Sequence, residues 1–247
     1  MHQNIKVSAV QMKILSGKKN LPVILRYLEE ASAKGAQIIC FPELAFNPNM
    51  KKPSEEGDLS TVQEASKKRN IYVIINGYFK IKNKKIYNRT YLISNQGLIL
   101  GYYDKIYLWT NEKDKIARGQ RVKVIKTTLG NIGLCTCWDL FFPEMIAKLK
   151  RSGADIIFCP SYWNDKLKKE SKFLEYSPTV LAYHHMLFFV YCNSFLKGKT
   201  SISQITAPWG ELSKIKYREG VIEATLYPGR LNRFKKHFET VLWGKNI

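Results

Sequence analysis

The sequence has 247 residues, 45% of them hydrophobic and 13% aromatic, which excludes a disordered or low-complexity protein and is enough for a sizeable core. We expect a single domain over residues 1–247, with its core at about 5–226 and a C-terminal tail at 227–247. The formal net charge of +20 would attract nucleic acid or another anionic partner, but no recognised nucleic-acid module accompanies it, so we interpret it as a solvated, lysine-rich surface.

Alternating branched and apolar residues predict strands, and apolar residues at spacings of three and four predict helices. In the first part of the chain these patterns predict strand Ile5–Met12, helix Leu21–Ala33, strand Gln37–Phe41, helix Ser60–Arg69 and strand Ile71–Gly77. Residues 78–107 then change to short strands joined by polar turns at 83–85 and 94–97.

The second part of the chain continues with the same patterns. They predict strand Val122–Thr127, a strand from Ile132 to Cys137, helix Pro143–Arg151, strand Asp155–Cys159, helix Thr179–Met186, strand Leu187–Cys192, and strands Ser201–Ala207 and Val221–Leu226. The tail 231–243 is polar and aromatic, and we expect it to contact a partner subunit. No apolar run reaches membrane-spanning length and nothing marks export, so we expect no membrane association.

Strands that alternate with helices and are mixed with hairpins indicate a layered α/β protein. Two sheets packed face to face between two helical layers would bury all of the apolar runs. A single doubly wound sheet is the competing architecture, but no glycine-rich nucleotide loop opens any predicted helix.

A predicted strand-to-helix corner places Cys137 before Pro143 and Glu144, which suit a first helical turn. A thiol at this corner faces the helix N-terminus, whose unpaired N–H groups favour a thiolate and can receive an oxyanion. Cys137 is therefore a candidate nucleophile. The other four cysteines lie within apolar strands, and we interpret them as inert core thiols: Cys40, Cys135, Cys159 and Cys192. Because the count of five is odd, we expect reduced thiols and a cytoplasmic protein.

Reactive groups in α/β proteins gather at the carboxyl ends of strands. Glu43, Lys105 and Cys137 occupy such positions, and Glu112 follows shortly after another strand. A cysteine, a carboxylate and a lysine can carry out acyl transfer without a histidine. The carboxylate takes the thiol proton, the thiolate attacks a carbonyl or nitrile carbon, and the ammonium stabilises the negative charge that develops.

The chain resembles the nitrilase, or carbon–nitrogen hydrolase, superfamily from Val7 to about Leu226. The matching segments are Phe41-Pro-Glu43, Tyr103-Asp-Lys105, Cys137-Trp-Asp139, Phe142-Pro-Glu144, Gly153-Ala-Asp-Ile-Ile157, Pro160-Ser-Tyr-Trp163 and Ser203–Gly210. Each segment alone is weak, but three catalytic positions in the right order and context make a specific match.

The resemblance implies a four-layer α-β-β-α sandwich and a role for each candidate residue. Glu43 becomes the general base and acid, Lys105 the electrostatic stabiliser, and Cys137 the nucleophile that forms a thioester. Glu112 matches a second glutamate that supports the lysine and orients substrate. The backbone N–H of Trp138 would complete the oxyanion site. The resemblance also implies a homodimer or a higher homo-oligomer, and no cofactor.

The chain departs from the family pattern at 181–185, where Leu181, His184 and His185 stand in place of the common Arg, Glu and Asn. The chain therefore lacks both the positive charge of the Arg and the negative charge of the Glu. Their loss affects the far wall of the pocket and the usual subunit contact but not the triad. Phe141 also replaces a common Arg, which weakens any case for carboxylate recognition there.

Two further interpretations involve the histidines. Cys135, Cys137, His184 and His185 could be drawn as four metal ligands, or one histidine as the base of a papain-like pair. Neither spacing is a standard zinc pattern, and the residues around Cys137 do not resemble the papain family, so we expect no metal.

Aromatic residues near the predicted site, including Tyr162 and Trp163, suggest a small apolar or mixed substrate. We therefore predict hydrolysis of a small amide or N-carbamoyl compound, with nitriles less favoured. Acyl transfer to an amine remains open, as does a catalytically silent protein that binds nucleic acid through its basic surface.

Overall fold

The computed structural model describes residues 3–81, 84–163 and 171–243. The strands in these ranges are β1 Ile5–Gln11, β2 Ile38–Cys40, β3 Tyr72–Lys80, β4 Ile86–Ile93, β5 Ile99–Asp104, β6 Val124–Thr127, β7 Gly130–Leu134, β8 Ile156–Ser161, β9 Phe188–Asn193, β10 Ile202–Ala207, β11 Gly210–Lys216 and β12 Gly220–Leu226. The α-helices are α1 Leu21–Ala33, α2 Ser60–Arg69, α3 Pro143–Arg151, α4 Ser171–His185 and α5 Pro228–Trp243.

The strands form two six-stranded sheets, in the orders β12-β1-β2-β3-β4-β5 and β11-β10-β9-β8-β7-β6. The centre of each sheet is parallel, through β1, β2 and β3 in the first and β7, β8 and β9 in the second. The remaining neighbours pair antiparallel. Because parallel strands are covered on both faces, most of these central strands begin with continuous apolar runs, as in β2, β3, β8 and β9.

Side-chain alternation along β2 shows how the layers stack. Ile38 and Cys40 join the core between the two sheets, whereas Ile39 packs on the other side with residues of α1 and α2. Helices α3 and α4 contribute to the core of the second sheet, where Leu149 lies against Gly133 of β7. The architecture is an α-β-β-α sandwich, which confirms the predicted fold and excludes a single doubly wound sheet.

Helix α4 begins well before the predicted start at Thr179 and runs through Pro178. A proline inside a helix removes the hydrogen bond to the carbonyl four residues earlier, here that of Leu174. Gln204 of β10 replaces the missing donor, because its Nε2 lies 2.9 Å from the carbonyl oxygens of both Leu174 and Glu175. The prediction was wrong because this compensation comes from a strand far away in sequence.

Other boundaries also differ from the prediction. Strand β7 ends at Leu134, short of Cys137, because a 3₁₀ turn over Cys137–Phe141 follows it. Strand β11 and helix α5 were not predicted, although Leu231, Phe234 and Phe238 are spaced as on one helix face. Residue 83 of the predicted turn at 83–85 lies outside the described residues. Within the described ranges, no helix has the length and hydropathy that a membrane crossing needs.

Candidate active site

Three charged side chains meet in the interior at the ends of two strands and in the loop that follows. Glu43 comes after β2, Lys105 directly follows β5, and Glu112 lies in the next loop. Lys105 Nζ is 2.8 Å from Glu43 Oε1 and 2.9 Å from Glu112 Oε2. All three residues are at least 97% buried, with exposures of 3%, 2% and 2%. The structure brings these predicted residues together, and their catalytic roles stay predictions.

The charges of this trio stabilise one another. Burial lowers the pKa of the Lys105 ammonium, but the negative charges of Glu43 and Glu112 outweigh it, so the pKa lies well above its ordinary value. Burial raises the pKa of Glu112, and the ammonium of Lys105 reverses this effect, so that pKa lies below its ordinary value. The lysine therefore stays a cation, held between carboxylates in a nearly dry site.

Cys137 begins the 3₁₀ turn, with a left-handed φ of +51°. A residue other than glycine in this conformation carries strain of about 1 kcal/mol or more, of the kind found at functional sites. Burial and the charge of Glu43 raise the pKa of the thiol well above its ordinary value, although Lys105 acts in the opposite direction. The turn is short and the thiol is only 7% exposed, so the effect of burial on this pKa outweighs that of the neighbouring N–H groups. A thiol with a raised pKa needs a base to lose its proton, as the sequence analysis expects of Glu43.

The turn is attached to the strand that leads to Lys105. Asp139 is fully buried, and Oδ2 of its side chain accepts hydrogen bonds from Tyr103 Oη at 2.8 Å and from the Thr136 N–H at 2.8 Å. Its Oδ1 accepts from the Tyr107 N–H at 3.0 Å. Burial raises the pKa of Asp139 to about 6 despite these donors. Tyr103 of β5 thereby ties the first sheet to the turn that carries Cys137.

Glu43 is also held by the residue that follows strand β8 of the second sheet. Its Oε2 accepts a hydrogen bond from the Tyr162 N–H, at 2.8 Å. The same backbone N–H acts to lower the pKa of the Cys137 thiol, so it lies next to both groups. Tyr162 therefore contributes a main-chain donor at the site. The predicted oxyanion contact of the Trp138 N–H stays a prediction.

A glycine presses against the end of β5. The Gly119 N–H donates to the Lys105 carbonyl oxygen at 2.9 Å. A Cβ atom at position 119 would lie 2.0 Å from the Asp104 carbonyl oxygen, a distance that real Cβ atoms do not show. Only glycine allows this close approach without a backbone shift.

Aromatic rings cluster beside Cys137 and form what we term the aromatic wall, consisting of Trp109, Trp138, Phe141, Trp163 and Phe173. Phe141 stacks on Trp163 with ring centroids 5.3 Å apart and on Phe173 at 4.1 Å. Trp138 lies 4.2 Å from Phe141 and 4.5 Å from Trp109. Trp163 itself is 6% exposed, and its backbone N–H donates a hydrogen bond to Asn193 Oδ1.

Buried polar residues of β3 and β4 that were not predicted from the sequence support the trio. Asn88 of β4 donates to both glutamates, and Asn76 of β3 contacts Asn88 and Thr90. A signal was present, because Asn88 and Thr90 alternate on one face of a strand whose later residues are apolar. A polar pair on a buried face requires partners.

The alternatives that involve histidine find little support in the geometry. The charges that act most on Cys137 are those of Glu43 and Lys105. Leu181 is buried in the core under α4, whereas His184 at the end of that helix is exposed. Among the described residues, no three His, Cys, Asp or Glu side chains are arranged to hold a metal ion.

Surface cavities open away from the trio. One of about 380 Å³ is lined by residues that include Tyr107, Arg118 and Lys148, and one of about 690 Å³ by residues that include Lys80 and Arg89. Neither is lined by the candidate catalytic side chains. The site is therefore recognised by its chemistry rather than by the size of a cavity.

This fold, with a buried glutamate, lysine and cysteine between two sheets, matches a known class. The family model for carbon-nitrogen hydrolases matches residues 6–236. The chain belongs to the carbon–nitrogen hydrolase family, which confirms the resemblance seen in the sequence.

Similar sequences include the probable hydrolase nit2 of Schizosaccharomyces pombe, 30% identical over 60% of this chain and 61% of its own length. The omega-amidase NIT2-B of Xenopus laevis is 24% identical over 90% of this chain and 88% of its own length. The chain spans between 61% and 65% of three curated relatives that it matches, from S. pombe and Pyrococcus abyssi.

Solved structures share the fold. Saccharomyces cerevisiae Nit3, described as a member of branch 10 of the nitrilase superfamily, has a TM-score of 0.87 at 20% identity, covering 95% of this chain and 94% of its own. A mutant amidase from Nesterenkonia sp. AN1, with the acetamide moiety of fluoroacetamide added covalently to its active site cysteine, has a TM-score of 0.80 at 19% identity, covering 98% and 97%.

Proposed function

We propose that the protein hydrolyses the C–N bond of a small amide or N-carbamoyl compound through a thioester on Cys137. The observation that carries this proposal is the position of Glu43, which contacts Lys105 and the Tyr162 N–H and lies beside the Cys137 thiol. Amide hydrolysis by family relatives supports the reaction class, since one is named an omega-amidase and another a deaminated glutathione amidase.

Attack requires the neutral thiol to lose its proton. The Glu43 carboxylate takes it as Sγ bonds to the carbonyl carbon, and the carbonyl π electrons move onto oxygen. The Lys105 ammonium and the Trp138 N–H stabilise this oxyanion. When the oxyanion collapses, the C–N bond breaks and Glu43 returns its proton to the leaving nitrogen, so that ammonia or an amine departs and a thioester remains.

Water then resolves the thioester. Glu43, again ionised, removes a proton from the water molecule as its oxygen attacks the acyl carbon, and the proton passes to Sγ as the C–S bond breaks. Lys105 stays protonated throughout because the charge of Glu112, and that of Glu43 whenever it is ionised, favours the ammonium. Glu112 keeps the ammonium in place through its bond of 2.9 Å.

The aromatic wall favours an apolar acyl group on the substrate. Trp163 follows Tyr162 directly, and Trp138 follows Cys137, so both rings belong to segments that also supply site groups. In Phe141→Ala, we expect kcat/KM for 3-phenylpropionamide to fall about tenfold relative to that for acetamide, the size of effect that a lost apolar contact gives. Leu98→Ala, at a side chain 63% exposed, is the control. An unchanged ratio would remove the aromatic wall from substrate selection.

The direct test is ammonia release from a panel of amides, N-carbamoyl compounds and nitriles, together with intact-protein mass spectrometry. A Cys137-dependent acyl adduct with release of ammonia supports the proposal. Adding hydroxylamine distinguishes acyl transfer, because a hydroxamate then forms in place of the acid. Steeply salt-dependent RNA binding with no turnover of any substrate would instead favour the nucleic-acid alternative.

Assembly and compartment stay predictions. Exposed Tyr176 and Tyr183 on α4 support the expected homodimer, since large apolar side chains at the surface often mark subunit contacts. Light scattering after size exclusion measures it. All five cysteines are free thiols, which supports the expected cytoplasmic setting.

A further inference from the structure

Asn88 bonds both glutamates of the trio, as Lys105 does, but carries no charge. Its Nδ2 lies 2.7 Å from Glu43 Oε1 and 2.6 Å from Glu112 Oε1. Its backbone carbonyl accepts the Lys105 N–H at 2.9 Å. Asn88 is fully buried and therefore contacts each of the three charged residues without access to solvent.

The orientation of this amide is fixed from the other side. Asn76 Nδ2 donates to Asn88 Oδ1 at 2.8 Å, so the NH₂ group of Asn88 faces the carboxylates. Asn76 is itself held, because its Oδ1 accepts the N–H of Leu44, the residue after Glu43, at 2.8 Å. An amide group has two N–H hydrogens, and here each meets one carboxylate.

The same polar chain continues to the turn of the nucleophile. Asn76 Nδ2 also donates to Thr90 Oγ1 at 2.8 Å, and Thr90 Oγ1 lies 3.0 Å from Thr136 Oγ1, in the segment that follows β7. Thr136 directly precedes Cys137. The glutamate that would act as base and the turn that carries the thiol are thus connected through buried side chains of β3 and β4.

Two buried carboxylates beside one ammonium carry an uncompensated negative charge. Like charges at this range favour protonation of one of them unless donors stabilise the ionised forms. Glu43 has to be ionised to accept the thiol proton. We propose that Asn88 is a positioning residue that holds Glu43 and Glu112 ionised on either side of Lys105 and keeps Glu43 aligned with Cys137. This inference rests on the proposed function and adds to it a residue that does not touch the reacting atoms.

The test is Asn88→Asp, which keeps the shape of the side chain and removes both N–H donors. We expect kcat/KM for the best substrate of the panel to fall about 100-fold, mainly in kcat, because a misaligned base costs about that factor. The groups that face Asn88 are Glu43, Glu112 and Lys105, with Tyr78 and Cys137 beyond them. A further carboxylate at position 88 disfavours ionisation of Glu43 and Glu112, so the acid limb of the pH profile of kcat/KM should move to higher pH. A fall in activity without a shift of the limb, or a shift without a fall, overturns the assignment.

Asn88→Ser keeps the inference testable where the aspartate variant does not fold. Its hydroxyl can donate to one carboxylate only, so we expect a smaller loss, about tenfold, again with a shift of the acid limb. Turnover within threefold of the parent protein in this variant contradicts the proposal. Asn95→Ala is the matched control, because Asn95 lies at the surface and bonds Asn70.

A second readout separates this inference from the proposed function. The rate at which iodoacetamide alkylates Cys137 is measured against pH by peptide mass spectrometry and needs no substrate. If Asn88 holds the base, Asn88→Asp slows alkylation at neutral pH at least tenfold and moves its pH dependence upward, because Glu43 no longer assists loss of the thiol proton. If the parent turns over no substrate, the proposed function fails while this measurement still decides the role of Asn88. Equal alkylation profiles with an active parent overturn only the inference.

Discussion

Cys135 and Cys137 lie two residues apart and have different surroundings. Burial raises the pKa of both thiols well above the ordinary value. Cys135 faces the core, with the Phe158 carbonyl oxygen 3.9 Å from its Sγ and with Cys159 nearby. Cys137 occupies a left-handed turn and has a carboxylate and an ammonium as its charged neighbours.

The comparison shows that a low resting pKa does not mark the candidate nucleophile in this protein. The pKa of each thiol is raised, and a carboxylate acts on each, Asp139 on Cys135 and Glu43 on Cys137, but only Cys137 has an ammonium, that of Lys105, acting on it as well. The feature that distinguishes Cys137 is therefore the pair of groups beside its thiol, the Glu43 carboxylate and the Lys105 ammonium. Substitutions of Cys137 and of Cys135 should therefore have very different effects on turnover.

Replacing Cys137 should have the largest effect. Cys137→Ala removes the group that forms the thioester, so we expect ammonia release to fall by at least about 10⁴-fold, as for other covalent nucleophiles. The measurement is turnover of the best amide of the panel.

Cys135→Ala is the matched control for that experiment. It removes a core sulfur atom, so the melting temperature should fall, but turnover of the remaining folded protein should stay within about threefold, since no reacting group is lost. Comparable losses of turnover in the two variants would end the distinction between the thiols.

Lys105→Ala tests the ammonium that is present beside Cys137 and absent beside Cys135. We expect kcat to fall about 10²–10³-fold because the oxyanion loses its charged partner. The free energy of unfolding at pH 7 should fall by about 3–5 kcal/mol, since two buried carboxylates lose the ammonium between them. Urea unfolding and ammonia release measure the two effects. Lys113→Ala, at an exposed lysine of the same loop, should change neither.

Tyr103→Phe probes the attachment of the Cys137 turn to β5, and its effect should be the smallest. Loss of a hydrogen bond to ionised Asp139 should lower the free energy of unfolding by about 2 kcal/mol at pH 8. The pKa of Asp139 is about 6, above its ordinary value, so this carboxyl is protonated in the folded protein below that pH. The bond then joins neutral groups and the loss should shrink to about 1 kcal/mol at pH 5.

The control for Tyr103→Phe is Tyr107→Phe, whose hydroxyl bonds Glu144 at the surface, at 3.1 Å. We expect a change in the free energy of unfolding within about 0.5 kcal/mol at either pH. A pH-independent effect of Tyr103→Phe would show that Asp139 does not titrate as described.

The sequence predicted the two-sheet sandwich because most central strands begin with apolar runs and α1 and α3 carry clear helical spacing. It also indicated which charged residues meet, since Glu43 and Lys105 follow strands of one sheet. Asn88 was missed because the alternation of Asn88 and Thr90 along one strand face shows a polar pair but not the partners that the pair meets. The proposed role of Asn88 depends on two carboxylates that are distant in sequence and that only the fold brings together.

The conformation of Cys137 could not be predicted for a related reason. A left-handed φ is expected at glycine, whereas this turn is held by Asp139 and its bond to Tyr103 from the other sheet. The path of α4 through Pro178 likewise depends on Gln204. In each case a partner far along the chain overrides a local preference.

Gly119 shows that an intact set of reactive groups is not sufficient for this site. Any larger residue there would overlap the Asp104 carbonyl oxygen, so the end of β5 would have to shift, and Lys105 with it. A related sequence could retain the acid, the lysine and the thiol and still be inert. Surveys that assign hydrolases from those three positions alone therefore gain a further criterion, which is whether the loop after Arg118 still allows the backbones to touch.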